Sequence, residues 1–259
     1  MVGSVLAFDV SKETGRITAF IQQVVAGASA KGVVVGLSGG IDSSVTGALC
    51  VRALGEENVL GLLMPSDHTP KEDVRDAAVL AETWRIRSEQ IPISKAVRAL
   101  MDAARIEGTK IARANVEARA RMVILYYYAN SLGYLVAGTD DKSEGAIGFF
   151  TKFGDGGVDF LPISHLYKTQ VRELGAHLGL PKKLVQKPAS PQLWPGQRAT
   201  DEIPADYDRL DIALHYLFDL KRTPREAAAR AGIPLGAVEK VLQMHRRSEH
   251  KRKMPPSLT

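Results

Sequence analysis

The sequence predicts an α/β fold: a doubly wound parallel sheet with helices on both faces, followed by a helical C-terminal segment. Three observations predict it. Short apolar runs alternate with stretches of helical periodicity from residue 11 to residue 139. The first apolar run ends in a glycine turn that opens directly into a helix start, as in a β–α unit. The apolar runs are continuous rather than alternating, as in strands covered on both faces.

Each element follows in order. Ile17, Phe20, Ile21, Val24, Val25 and Ala28 recur at helical spacing, so residues 11–30 form an amphipathic helix. Val33–Leu37 is the first strand; Ser38-Gly39-Gly40 turns the chain, and Asp42, Ser43 and Ser44 open the next helix. Val45–Leu54 is that helix's apolar face and carries Cys50, a small core residue rather than a nucleophile. Asn58–Met64 is the second strand. Thr69 as N-cap, Pro70 at the first helical position and Glu72 start a helix that runs through Val74, Ala77, Ala81 and Trp84. Gln90–Ile93 is a third strand, residues 94–106 and 115–132 are helical, and Gly133–Thr139 is a fourth strand. Residues 186–206 are rich in Pro, Gly and Gln and form a long loop, which in a compact domain is a lid or binding loop. Residues 206–259 return to helical periodicity and end in a basic tail. The whole, residues 1–259, reads as a single Rossmann-like domain.

Bulk properties exclude several classes. Hydrophobic residues make up 45% and charged residues 24%, an ordinary globular composition. No run approaches a transmembrane length and no leader pattern is visible, so a cytoplasmic location without membrane association is expected. Cys50, the single cysteine, excludes an internal disulfide and a cysteine-built metal cluster. The net charge of +5 suits an anionic ligand or nucleic acid.

The chemistry begins at the glycine turn. Free N–H groups and the helix dipole at a strand–glycine–helix junction attract an anion, and glycines let a phosphate approach the backbone. No G-x-x-x-x-G-K-[ST] is present, so no loop lysine is placed for a terminal phosphate. An acidic residue inside an anion site, Asp42, makes sense if it holds a divalent metal on polyphosphate oxygens. The string Ser38-Gly-Gly-Ile-Asp42-Ser43 resembles the pyrophosphate loop of N-type ATP pyrophosphatases, which cleave ATP between its α and β phosphates and adenylate a substrate.

A second polar cluster, Gly138-Thr139-Asp140-Asp141-Lys142-Ser143-Glu144, follows the fourth strand and offers three carboxylates. In a parallel sheet both clusters lie beyond the carboxyl ends of the strands, so Asp42 and Glu144 could share one metal. Gly148–Asp159 mixes glycines, phenylalanines and charges; on composition alone a glycine-rich hairpin and a segment that stacks on a flat ring are both open. Lys168 in the first turn of a helix opposes the dipole unless it faces an anion.

Taken together, Asn115–Met122, Gly138-Thr-Asp140 with Glu144, Gly148–Asp159, Leu166–Leu174, Lys187–Ser190, Leu193–Gln197 and Ser248–Arg252 resemble the motifs of ammonia-dependent NAD synthetases, in that family's order. The resemblance implies that ATP is cradled by Gly36, Leu37, Ser38, Gly39, Gly40, Ile41, Asp42 and Ser43, and contacted by Thr139, Lys168 and Ser190. It implies Mg²⁺ on Asp42 and Glu144, deamido-NAD on Arg119, Lys152, Asp159, His250 and Lys251, and Asp155 beside the reacting carboxylate or ammonia. Asp42, Lys168 and Asp155 are thus the expected catalytic set. It also implies a homodimer, for which the helix Val116–Leu132 is the candidate interface, with an ordinary core helix as the alternative. No spare cysteine serves a glutaminase, so free ammonia is the expected nitrogen donor. Asp141-Lys142-Ser143, Ser190-Pro-Gln-Leu-Trp194 and Gly196-Gln-Arg-Ala-Thr-Asp-Glu202 depart from the family pattern, and the change in this second region alters the length and stiffness of the lid.

A nucleotide sensor that binds ATP without turnover is a rival reading, against which Asp42 together with Glu144 argues; two further rival functions remain at this stage. One is a sister pyrophosphate-loop adenylating enzyme. The other is a helix-turn-helix DNA reader over Thr223–Leu242, with a glycine turn at Gly232 and the basic tail after it. Two helices joined by a glycine turn are commoner as packing units, and no nucleic-acid partner is expected.

Overall fold

A computed structural model describes residues 5–190, 194, 196 and 201–258. The lid expected at 186–206 therefore lies partly outside the described residues, as does most of the Leu193–Gln197 motif. The chain runs α1 (Val10–Gly27), β1 (Val33–Gly36), α2 (Ile41–Leu54), β2 (Val59–Leu63), α3 (Lys71–Thr83), β3 (Arg87–Gln90), α4 (Ser94–Asp102), α5 (Lys110–Leu132), β4 (Leu135–Ala137) and α6 (Lys142–Ile147). It continues with α7 (Lys168–His177), α8 (Lys182–Val185), α9 (Tyr207–Leu214), a π-helical turn at His215–Asp219, α10 (Pro224–Ala231) and α11 (Leu235–Arg247).

The four described strands form one parallel sheet in the order β3-β2-β1-β4. Successive residues of β1 face opposite ways. Val33 and Val35 pack under α1, α2, α3 and α7 through Ile17, Val45, Leu80 and Leu174. Val34 packs on the other side with Leu60, Leu62, Ile93, Val97 and Ala129, beneath α4 and α5. Covering on both faces is why the strands are apolar without alternation. The chain moves outward from β1 to β3 and then returns to the far side of β1 at β4. The crevice at the carboxyl ends of β1 and β4 is thus the topological switch point, where open α/β sheets take ligands.

A separate apolar cluster belongs to the C-terminal helices. Leu210, Ala213, Leu214, Ala227, Ala231, Val238 and Val241 pack together, and Ile147 of α6 and Tyr167 join them to the sheet layer. The α10–α11 pair with its left-handed Gly232 joint is part of this core. Part of the basic tail is held by backbone carbonyls: Lys251 Nζ donates to Gly148 and Phe150, and Arg252 to Gly145 and His245.

Local boundaries differ from the sequence expectation for identifiable reasons. The third strand is Arg87–Gln90 rather than Gln90–Ile93. It is the sheet edge, where polar residues blunt pairing with other chains; the apolar signal came from Ile91 and Ile93, which lie beyond it. Pro70, not Thr69, caps α3, because the Thr69 hydroxyl accepts from Ser66 N–H at 2.9 Å and closes the preceding turn. Helix α5 starts five residues early, at Lys110, because Thr109 caps it by accepting from Ala112 N–H at 3.2 Å. The polar cluster after β4 is itself helical: Asp141 caps α6 by accepting from Glu144 N–H at 2.8 Å.

Candidate active site

The loop after β1 is held closed by its own side chains. Ser38 and Ser43 hydroxyls lie 3.0 Å apart, and Ser38 N–H donates to Ser43 Oγ at 3.2 Å. Gly39 sits at φ +74°, and a β-carbon there would run into the backbone of Asp73. Gly40 is the N-cap of α2 and no side chain caps that helix, so its first turn keeps amides for an incoming anion.

Three carboxylates from the N-terminal ends of α2 and α6 converge on Lys168, the first residue of α7. Its Nζ lies 2.7 Å from Asp42 Oδ2, 2.9 Å from Asp141 Oδ2 and 2.9 Å from Glu144 Oε1, and the side chain is 0% exposed. Burial works against the ammonium charge, yet the three carboxylates override it and hold the amine well above its usual value. Burial pushes the carboxyls of Asp140, Asp141 and Glu144 upward, and their mutual repulsion adds to it. One lysine therefore faces more carboxyl groups than a single positive charge can balance. Asp42 Oδ1 is buried with no hydrogen-bond partner among the described residues. An unpaired carboxyl oxygen beside a cluster of further carboxyls fits a hard divalent cation. Asp42 and Glu144 are the residues that could hold it. Among the described residues no group of three acidic, His or Cys side chains is arranged to hold a metal ion by itself. A two-carboxylate set is what Mg²⁺ takes when water and phosphate supply the remaining positions.

A cavity of about 420 Å³ opens over this cage. Its wall includes Gly36, Leu37, Ser38, Gly40, Ile41, Asp42, Ser43, Thr139, Glu144, Asp155, Ser190 and Lys251. Those expected residues are brought together. Gly39 is turned against Asp73, and Lys168 stands behind Asp42 and Glu144 instead of at the wall. Asp155 accepts from Thr151 N–H at 2.8 Å and faces the cavity. Phe149 and Phe150 line the cavity, and Lys251 Nζ binds the carbonyls of Gly148 and Phe150 at 2.8 and 2.7 Å, so the C-terminal tail shapes the turn that carries Asp155.

Four expected dinucleotide contacts lie off the cavity wall. Arg119 donates to the Lys152 carbonyl at 3.3 Å, Lys152 Nζ donates to the His250 carbonyl at 2.7 Å, and His250 is exposed. Asp159 accepts from Tyr126 OH at 3.1 Å and from Val136 N–H at 2.7 Å, which ties the segment after the glycine block to β4.

Several site residues were not singled out by sequence. Asp140 and Asp141 belong to a cluster that was recognised, but only the sheet geometry separates their places. Lys187 donates to the Gly39 carbonyl at 2.9 Å and to Asp73 at 2.5 Å, pinning the start of the segment after α8 to the loop; the sequence placed it in the Lys187–Ser190 motif but gave it no role. Arg121 donates to the Met64 carbonyl at 3.1 Å at the cavity wall.

Comparison with known proteins assigns this arrangement to a family. A family model described as NAD synthase matches residues 13–255. The NH(3)-dependent NAD(+) synthetase of Hyperthermus butylicus is 52% identical over 242 residues, covering 93% of this chain and 88% of its own. The structure of an NMN synthetase from Francisella tularensis matches with a TM-score of 0.87 at 34% identity, over 97% of this chain and 99% of that one. An NH3-dependent NAD synthetase from Campylobacter jejuni matches with a TM-score of 0.84 at 31% identity, over 98% of this chain and 100% of that one. Sequence likeness across nearly the whole chain, joined to a shared fold and a pyrophosphate-loop crevice, places this chain in the NAD synthase family.

Proposed function

We propose that the chain is an ammonia-dependent NAD synthetase that uses ATP to convert deamido-NAD to NAD, releasing AMP and pyrophosphate. The observation that carries this reading is the Lys168–Asp42–Asp141–Glu144 cage at the β1/β4 crevice, beside the uncapped first turn of α2. In the first step the nicotinate carboxylate attacks the α-phosphorus of ATP and pyrophosphate leaves. In the second, ammonia adds to the acyl carbon, a proton is lost, and AMP departs. No protein nucleophile is needed.

The residues do positioning and charge balance. The amides at Gly40–Ser43 and the loop glycines take the triphosphate. Asp42 and Glu144 would hold Mg²⁺, which when bound neutralises charge on the phosphates. Lys168 acts through those carboxylates, keeping both aimed at one point. Thr139 and Ser190 border the nucleotide, Asp155 stands beside the acceptor carboxylate or ammonia, and Lys251 fixes the turn that carries it. Arg119, Lys152, Asp159 and His250 are assigned to deamido-NAD as an outer binding surface. The enzyme works as a homodimer in the cytoplasm; no described helix is long and apolar enough to cross a membrane.

The test is pyrophosphate release and NAD formation from ATP, Mg²⁺, deamido-NAD and ammonium, run beside Asp42→Ala. Turnover should require deamido-NAD and fall at least 100-fold in the variant. Glutamine should not replace ammonium. Because one structural relative is an NMN synthetase, nicotinate mononucleotide is run as a second acceptor. Preference for the mononucleotide would keep the chemistry and replace the substrate.

A further inference from the structure

Helix α9 belongs to the C-terminal segment, to which the sequence assigns no chemistry beyond a basic tail. Asp206 caps it by accepting from Arg209 N–H at 3.1 Å. Tyr207 and Asp211 then stand one turn apart on the same face, both buried and both turned toward α7. Asp211 is 0% exposed and collects three donors. Ser143 Oγ donates to Oδ1 at 2.5 Å, and the Thr169 N–H and hydroxyl each donate to Oδ2 at 2.8 Å. Ser143 Oγ in turn accepts from the Lys168 N–H at 2.9 Å. The orphan amides at the start of α7 are thus satisfied from another helix, partly through Ser143 of α6. At the other end of the same lysine, the Tyr207 ring lies 5.2 Å from Lys168 Nζ.

We propose that Asp211 is a positioning residue for the reaction: it locks α6 to α7 so that Glu144 and Lys168 keep one geometry relative to Asp42. Ser143 neighbours Glu144 in the chain, and Thr169 neighbours Lys168. A single carboxylate therefore sets the register of the two short elements that carry the cage. Two acceptor oxygens facing three convergent donors explain a buried carboxyl kept against its desolvation cost. The donors oppose that cost by favouring the charged form. Outer partners that orient such groups are commonly worth about 10–100-fold in activity.

This inference rests on the reaction proposed above, so the wild-type enzyme is assayed first; inactivity with both acceptors would overturn the reaction and not the role of Asp211. Given an active wild type, Asp211→Ala should lower kcat about 10–100-fold, with KM for deamido-NAD within about twofold. Asp211→Asn, which keeps the shape and one acceptor oxygen, should regain most of that loss. Val238→Ala, in the core of the same C-terminal segment but away from α7, is the stability control and should lower the melting temperature without lowering kcat. A folded Asp211→Ala with kcat within twofold of wild type would sink the proposal. So would an equal kcat loss in Val238→Ala. If Asp211→Ala does not fold, Ser143→Ala carries the test: it breaks the link to the Lys168 N–H and should cost several-fold in kcat, and unchanged kcat would overturn the role.

Discussion

At the scale of single residues, burial decides chemistry. Cys50 lies fully buried on the inner face of α2, and desolvation pushes its thiol up to about 12. Thiolate is the reactive form, so Cys50 should resist alkylating reagents in the native state and react fully after denaturation, as mass spectrometry would read. Asp211 gives a signed pH prediction. Burial raises its carboxyl from 3.8 to about 7 in the folded protein, against the donors that lower it. Between those values the folded state holds a proton that the unfolded state has released. This residue therefore subtracts stability as pH rises through that window. Asp211→Asn cannot titrate, so melting temperature measured from about pH 4.5 to 7.5 should fall less steeply in the variant than in wild type. A parallel pair of curves would show that Asp211 does not carry a raised value.

Elements act through their ends. Helix α2 meets the crevice with its N-terminus, and the loop before it depends on Gly39 at φ +74° packed against Asp73. Gly39→Ala adds a left-handed penalty of about 1–2 kcal/mol and forces α3 away from the loop. The expected outcome is a melting temperature lower by several degrees and ATP binding weakened at least 10-fold, measured by calorimetry. Wild-type affinity in a stable variant would mean that the loop tolerates another path. The beginning of α7 makes the same point from the other side. A lysine at a helix N-terminus is unfavourable for the dipole, and the unfavourable placement has a use: three carboxylates surround its amine and a fourth, Asp211, takes the neighbouring Thr169 amide.

For the whole molecule, α5 is the element on which assembly is tested. Its inner side packs under the sheet through Ala120 and Ala129, while Val123 is 60% and Tyr127 72% exposed, one turn apart. A contiguous outward apolar pair on a long helix fits a two-fold interface in which each copy presents the same face. The double variant Val123→Glu, Tyr127→Glu should therefore sediment as a monomer at concentrations where wild type is a dimer, with the melting temperature of the protomer core little changed. A wild-type monomer would leave α5 as an ordinary surface helix and remove the dimer from the proposed function.

What the sequence determined by itself was local. Apolar runs, helical spacing and the Ser38–Ser43 string specify strands, helices and an anion-binding turn, because each depends on residues a few positions apart. The order of motifs identified the chemistry, and the rule for parallel sheets put Asp42 and Glu144 on one edge. Tertiary structure alone decided the rest. Lys168 meets Asp42 across 126 positions and Asp211 meets Thr169 across 42. No periodicity encodes such pairings; they appear when the crossover path closes β4 beside β1 and packs α9 on α7. The same holds for Gly39, Lys152 and Asp159. A motif can name a residue, but whether its side chain reaches the cavity or holds the backbone around it is settled by packing, where each buried polar group takes the partner that satisfies it.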